Sequence, residues 1–291
     1  MKFSPAKGSI YIMKNEPGLQ SQFLRLFLIV CGLGFTVGTA SAINPKRTYD
    51  ATPDAIGVGY KVFKINVSNS VTLNSWILQH DDSKSTFIII SGTDAGNMAN
   101  ALGQAKAFYE TGYNVVLYDY RGFGESSDFA INQKMLYYDE FSTDLQETIK
   151  FVKKEFNPSS VILYGMSMGT IVSRMNLDSD KIIKGLILDS FVINPQLVLE
   201  RIKAIKDKDI LLPEGSPKYA KSNIGIIHKP VLIFSGLKDM VTKTSDYKKM
   251  LMLNNNVMLI SWDCNHLECF TAMKSEPDSY MAAIKSFIGS L

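Results

Sequence analysis

Cysteine and histidine are scarce in this chain of 291 residues, with three of each. Beyond Cys31 only Cys264 and Cys269 remain, so at most one disulfide can form there, and imidazole chemistry is confined to His80, His228 or His266. A surplus of charge is lacking too. The formal net charge is +3, and all of it sits in residues 1–42, where Lys2, Lys7, Lys14 and Arg25 face only Glu16; the rest balances 27 basic against 27 acidic residues. A neutral body without a long Lys/Arg run lacks the counterion-releasing surface that nucleic-acid binding needs. Small molecules or lipids are the expected partners, and nothing in the composition indicates an oligomeric state. Internal repeats and low-complexity tracts are absent.

One uncharged apolar run stands out. Leu26 to Val37 follows Arg25 and precedes Thr39-Ala40-Ser41-Ala42, the order of a secretory signal peptide. Residues 1–42 are therefore read as a leader, with Met13 as an alternative start, and small residues at Ala40 and Ala42 suit a cleavage that leaves a chain beginning near Ile43. The expected location is exported, periplasmic or secreted. The alternative is an uncleaved anchor, since the uncharged stretch continues to Pro45, about the length that crosses a bilayer; membrane contact would then come through the leader alone. A lipoprotein reading of Leu28-Ile29-Val30-Cys31 is weakened by bulky Val30. With the leader removed, Cys264 and Cys269 flank His266 and can pair in an oxidising compartment. Against pairing stands a helical start after His266 that would point the thiols apart. A zinc site of Cys264, His266 and Cys269 crowds three ligands into six residues and has no evident fourth.

With 46% hydrophobic residues, the chain can bury one substantial core. Residues 43–291 are read as one domain. Short β-branched runs alternate with longer segments of helical spacing, which predicts an α/β class with a mostly parallel sheet and helices on both faces. Val58–Val67 and Val71–Gln79, joined by Ser68-Asn69-Ser70, predict an antiparallel edge hairpin. Buried strands are expected at Thr86–Ser91, Asn114–Asp119, Ser160–Tyr164, Gly185–Asp189, Pro230–Ser235 and Val257–Trp262. Phe141, Leu145, Ile149, Val152 and Phe156 recur at three- and four-residue steps, predicting a helix over Tyr137–Phe156. About 191–229 is long for a connection and is read as a small cap, with a helix at Pro195–Lys206. A closing helix is expected over Ser275–Leu291.

The strongest local signal is Gly165-Met166-Ser167-Met168-Gly169, between the strand ending at Tyr164 and a helix expected from Thr170. A nucleophile on so tight a strand-to-helix turn needs small neighbours, and a helix start aims backbone N–H groups at developing negative charge. The Met168 amide is one expected donor. Asp239 and His266 each follow a predicted strand, so Ser167, Asp239 and His266 should converge on one sheet edge, in the order Ser, Asp, His. Asp189, at the end of an earlier strand, is the rival acid. His80 is read as an exposed turn residue and His228 as part of a connection.

These motifs resemble the α/β-hydrolase family over essentially the whole of residues 43–291, in its small-cap branch. Tyr118-Asp119-Tyr120-Arg121-Gly122-Phe123-Gly124-Glu125-Ser126 is similar to that family's D-x-R-G-x-G-x-S turn, whose arginine and glycines are structural. Ser91-Gly92-Thr93-Asp94-Ala95-Gly96-Asn97 is similar to its H-G-N-A-G-N oxyanion loop, with Ser91 in place of histidine and one residue more. The second donor is therefore open between the amides of Thr93 and Asp94. The resemblance implies a serine hydrolase cutting a carboxylic ester or related acyl bond of a small-molecule or lipid substrate through an acyl-enzyme, with no cofactor and no metal. The alternatives are a thioesterase or acyltransferase on the same residues, or an inactive hydrolase-fold binding protein, which the altered loop alone favours. Met166, Met168, Leu197, Val198 and Ile202 either hint at an acyl chain or pack the core, and core packing is the preferred reading.

Overall fold

A computed structural model describes residues 10–12, 42–80, 86–273 and 279–291. The leader's apolar run and Cys31 lie outside the described residues, as do residues 275–278 of the expected closing helix.

Strand-forming runs rich in Ile, Val and Leu assemble where expected, while β1, β2 and β6 below lie where the sequence reading placed no strand. In chain order the strands are β1 (Ile10–Ile12), β2 (Asn44–Pro45), β3 (Lys61–Asn66), β4 (Thr72–Leu78), β5 (Thr86–Ser91), β6 (Ala95–Gly96), β7 (Asn114–Tyr118), β8 (Ser160–Met166), β9 (Ile183–Asp189), β10 (Val231–Gly236) and β11 (Val257–Trp262). Nine of them form one sheet in the order β1-β11-β10-β9-β8-β5-β7-β4-β3. The pairs β3–β4 and β4–β7 are antiparallel, which makes β3–β4 the edge hairpin, and the remaining pairs of this sheet are parallel. A second, two-stranded pairing joins β2 to β6.

The helices are α1 (Leu102–Glu110), α2 (Tyr138–Phe156), α3 (Met168–Asn176), α4 (Pro195–Lys206), α5 (Pro217–Ile224), α6 (Lys248–Leu253), α7 (Cys269–Ala272) and α8 (Tyr280–Gly289). Strand alternation divides the core into two layers. Phe87, Ile89, Leu163, Leu188 and Ile233 face one side and pack with α2 to α6. Ile88, Ile90, Ile162, Ile187 and Phe234 face the other and pack with α1, α7 and α8. The apolar stripe of α2 lies in the first layer, as its spacing requires. Val198 of α4 belongs to it too, Ile202 packs against it, and Met168 and Met166 are buried in the first and second layers. These side chains pack the core.

Two details depart from the sequence reading. The helix after Ser167 starts at Met168, two residues before Thr170, because the turn is tight enough for the chain to enter helical geometry at once. His80 is partly buried: its Nε2 lies 2.8 Å from the Tyr109 carbonyl and its ring stacks on Tyr109 at 3.9 Å. A turn dipeptide rich in acids signalled exposure, but the flat aromatic surface beneath it captured the imidazole. His228 is exposed, in the connection before β10.

The segment between β9 and β10 carries α4 and α5, anchored by side-chain bonds. Asn223 donates to the carbonyls of Val192 and Ile193, both at 3.2 Å, and Arg201 grips Asp246 through two nitrogens while also donating to the Val241 carbonyl at 3.0 Å. The last contact ties this segment to the loop that carries Asp239. Among the described residues no helix is long and apolar enough to cross a membrane.

Candidate active site

Ser167 sits between β8 and α3 with φ 48° and ψ −115°, a conformation that side chains rarely adopt. Three contacts hold it there. Its N–H donates to the Asp189 carbonyl at 3.0 Å, its carbonyl accepts from the Thr170 N–H at 2.9 Å, and the Thr170 hydroxyl donates to the same carbonyl. The glycines on either side are demanded by close approach. A Cβ on Gly165 would lie 2.6 Å from the Gly169 carbonyl oxygen, and one on Gly169 would lie 2.3 Å from that of Ser91. Since these clashes are with backbone, no side-chain movement relieves them.

Asp239 and His266 reach Ser167 from the ends of β10 and β11. His266 Nε2 is 3.0 Å from Ser167 Oγ, and Nδ1 is 2.8 Å from Asp239 Oδ2. Both ring nitrogens are thus engaged by oxygen. Asp239 Oδ1 accepts from the backbone N–H groups of Val241 and Thr242 at 2.7 and 2.9 Å, while the Thr242 hydroxyl donates to Oδ2. Burial alone would raise this carboxyl. The hydrogen bond and charge of His266, with the Thr242 donors, outweigh it and hold Asp239 below the ordinary carboxylate range. The loops that carry Asp239 and His266 are joined by the Lys238 N–H donating to the Cys264 carbonyl at 3.0 Å.

Asp189, the rival acid, lies close but is spoken for. Its Oδ2 accepts from the Tyr280 hydroxyl at 2.9 Å and its Oδ1 from the Ser190 hydroxyl at 3.2 Å; the Tyr280 oxygen is in turn 3.0 Å from that of Tyr164. Burial pushes its carboxyl up to about 6 despite those donors. Ser190 then links this carboxylate to the loop that carries His266, because its hydroxyl oxygen accepts the Leu267 N–H at 2.8 Å. Ser190 and Leu267 have φ 57° and 61°, so three non-glycine residues of positive φ converge around the histidine. Ser190, Thr242, Leu267 and Tyr280 are the site residues that the sequence did not reveal, since no motif or period marks them.

The oxyanion-type loop spans the end of β5 to α1. Among the described residues, the N–H groups of Met168 and Thr93 donate to no protein acceptor. The Asp94 amide is turned toward its own carboxylate, which burial raises above its usual range. The loop is braced from the start of the domain: Asn44 N–H donates to the Asp94 carbonyl at 2.9 Å, Lys46 N–H to that of Gly96 at 2.8 Å, and Asn97 to the carbonyls of Lys46 and Thr48. Below it, Asp119 accepts the Met98 N–H at 2.7 Å, and Arg121 fixes the following turn through Asp144, with Nε at 2.9 Å and Nη2 at 2.6 Å from Oδ1. Among the described residues no three His, Cys, Asp or Glu side chains gather as metal ligands would.

Comparison with known proteins gives concordant matches. Residues 82–209 match the family model described as serine aminopeptidase, S33, of the Hydrolase_4 type. An uncharacterised membrane protein of Saccharomyces cerevisiae is 25% identical over 216 residues, covering 70% of this chain and 71% of its own. The uncharacterised protein YfhR of Escherichia coli O157:H7 is 24% identical over 237 residues, 77% of this chain and 79% of its own. Among solved structures, an esterase of Pyrococcus furiosus superposes with a TM-score of 0.69 at 22% identity, covering 85% of this chain and 99% of that one. Mouse alpha/beta hydrolase domain-containing protein 10 superposes at 0.57 with 16% identity, covering 79% and 99%. With a mostly parallel sheet, a serine at the turn after β8 and these structural neighbours, the chain has the α/β-hydrolase fold.

Proposed function

We propose that the protein is a serine hydrolase that cleaves a carboxylic ester or related acyl bond through an acyl-enzyme, with Ser167 as nucleophile, His266 as base and Asp239 as the acid that orients it. The observation that carries this reading is the unbroken hydrogen-bond line from Ser167 Oγ through both nitrogens of His266 to Asp239, at 3.0 and 2.8 Å. In the reaction, His266 Nε2 takes the hydroxyl proton as Ser167 Oγ attacks the acyl carbon, and ionised Asp239 stabilises the imidazolium that forms. The N–H groups of Met168 and Thr93 receive the developing oxyanion, each contributing about 3 kcal/mol. The imidazolium gives that proton to the leaving alkoxide as the acyl–oxygen bond breaks; water then attacks the acyl-enzyme, giving a proton to the freed Nε2, which returns it to Ser167 Oγ as the carboxylic acid leaves. The fold shared with a Pyrococcus furiosus esterase favours esters among the bonds this chemistry can cut. Export through the leader, with removal near Ala42, belongs to the same reading, and so does a small-molecule or lipid acyl substrate.

Fluorophosphonate labelling of the purified protein tests it. Wild type should label at Ser167, and Ser167→Ala and His266→Ala should not; ester turnover should fall in both by at least about 10³-fold. Folded wild-type protein that resists the label would instead favour a binding protein on a hydrolase scaffold.

A further inference from the structure

The base is held on a loop whose two ends are cysteines. Cys264 follows β11 and Cys269 opens α7, with His266 between them, and both thiols are buried. Their sulfurs lie 3.0 Å apart, in direct contact, and a bond requires an approach of only about 1 Å more, to roughly 2.05 Å. We infer that Cys264 and Cys269 form a disulfide that staples the His266 loop shut, holding the imidazole in line with Ser167 and Asp239. The activity consequence rests on the hydrolase reading above; the bond itself does not.

The surroundings indicate a staple and not a switch. His266 is already within hydrogen-bond distance of both partners while the thiols touch, so closing the bond leaves the alignment in place. The bond would add to the contacts that already hold the loop, among them the His266 ring on Ser167 and Asp239, the Leu267 N–H on Ser190, and Asn265 on the exposed carboxylate of Glu268. A cross-link at its base also secures the loop that carries Asp239, because the Cys264 carbonyl accepts the Lys238 N–H. The Cys269 thiol is raised by its hydrogen bond with Cys264 and by burial, which suppresses the reactive thiolate and makes exchange slow in both directions. The oxidant is a small disulfide such as oxidised glutathione. One cysteine thiolate attacks it during loop opening and displaces one glutathione; the second thiolate then attacks the mixed disulfide and displaces the other. Two electrons pass to the glutathione disulfide, and the two protons end on the released glutathione thiols.

The test uses the full chain carrying Cys31→Ala, so that these two are the only thiols. Incubated with oxidised glutathione, it should lose two hydrogens in mass, carry no glutathione and take up no alkylating reagent. Backbone hydrogen exchange of the 264–269 segment should be roughly 40-fold slower than after reduction with dithiothreitol, the factor that chain entropy assigns to closing a six-residue loop. Two alkylatable thiols after oxidation, a persistent glutathione adduct, or equal exchange in the two states would overturn the inference. Because one chain is compared in two redox states, misfolding of a variant cannot mimic either result. Fluorophosphonate labelling of the same samples separates the two readings: a disulfide without labelling removes the hydrolase, and labelling with two free thiols removes the staple.

Discussion

Asp189 is a fully buried carboxyl placed beside a second one, and its titration should be visible in stability. Raised to about 6 against an unfolded value of about 3.9, it binds its proton more tightly in the folded state. The stabilisation from the protonated form is therefore complete below about pH 4 and is lost as pH rises through 6, leaving an ionised group that costs about 3 kcal/mol at pH 8. Asp189→Asn keeps the shape and removes the charge. Its melting temperature relative to wild type should rise by several degrees between pH 5 and pH 8, by scanning calorimetry at both values. A difference that does not change with pH would mean that the carboxyl does not titrate in that range. Sequence reasoning saw both acids at strand ends and left Asp189 as a rival to Asp239. Only the third dimension shows that Tyr280, from a helix 91 residues further on, occupies its Oδ2.

At the level of elements, the turn from β8 into α3 depends on two glycines for different reasons. Gly165 must pass the start of α3, and Gly169 must pass the end of β5. Gly169→Ala should push α3 off the Ser91 and Gly92 carbonyls, cost about 2–3 kcal/mol in urea unfolding and reduce labelling of Ser167 beyond what the lost stability explains. A stable, fully labelled variant would mean that the helix can shift without moving the serine. This turn was legible in the sequence because its chemistry forces a spacing on the chain: glycine, three residues with serine in the middle, glycine, set after an apolar strand run. The strands were legible for a similar reason, being short, apolar and bounded by polar turns. The β2–β6 pairing was not. Two residues of strand carry no period, and the bonds from Asn44 and Lys46 are made by backbone, which any sequence supplies.

That brace has a consequence for the molecule as a whole. Ala42 and Ile43, just before β2, are buried in the main core at 1% and 0% exposure. A chain begun at Ala42 lacks β1, which pairs with β11, but keeps this burial, and one begun at Asn44 should be less stable than it by about 2–3 kcal/mol of lost apolar burial. The shorter chain should also hydrolyse esters more slowly, because Asn44 would become a free terminus under the loop of Thr93 and Asp94. Equal stability of the two truncations would show that Ile43 contributes nothing to the core. The three positive-φ residues around the histidine bear on the whole molecule too. A left-handed backbone at a branched residue such as Leu267 costs about 1–2 kcal/mol that glycine would not. Selection for heat resistance alone would therefore accumulate glycine at that position, and a lineage that did so would gain hardiness while its general base wandered. On the hydrolase reading, durability and turnover would therefore pull in opposite directions at Leu267, a residue outside the line from Ser167 through His266 to Asp239.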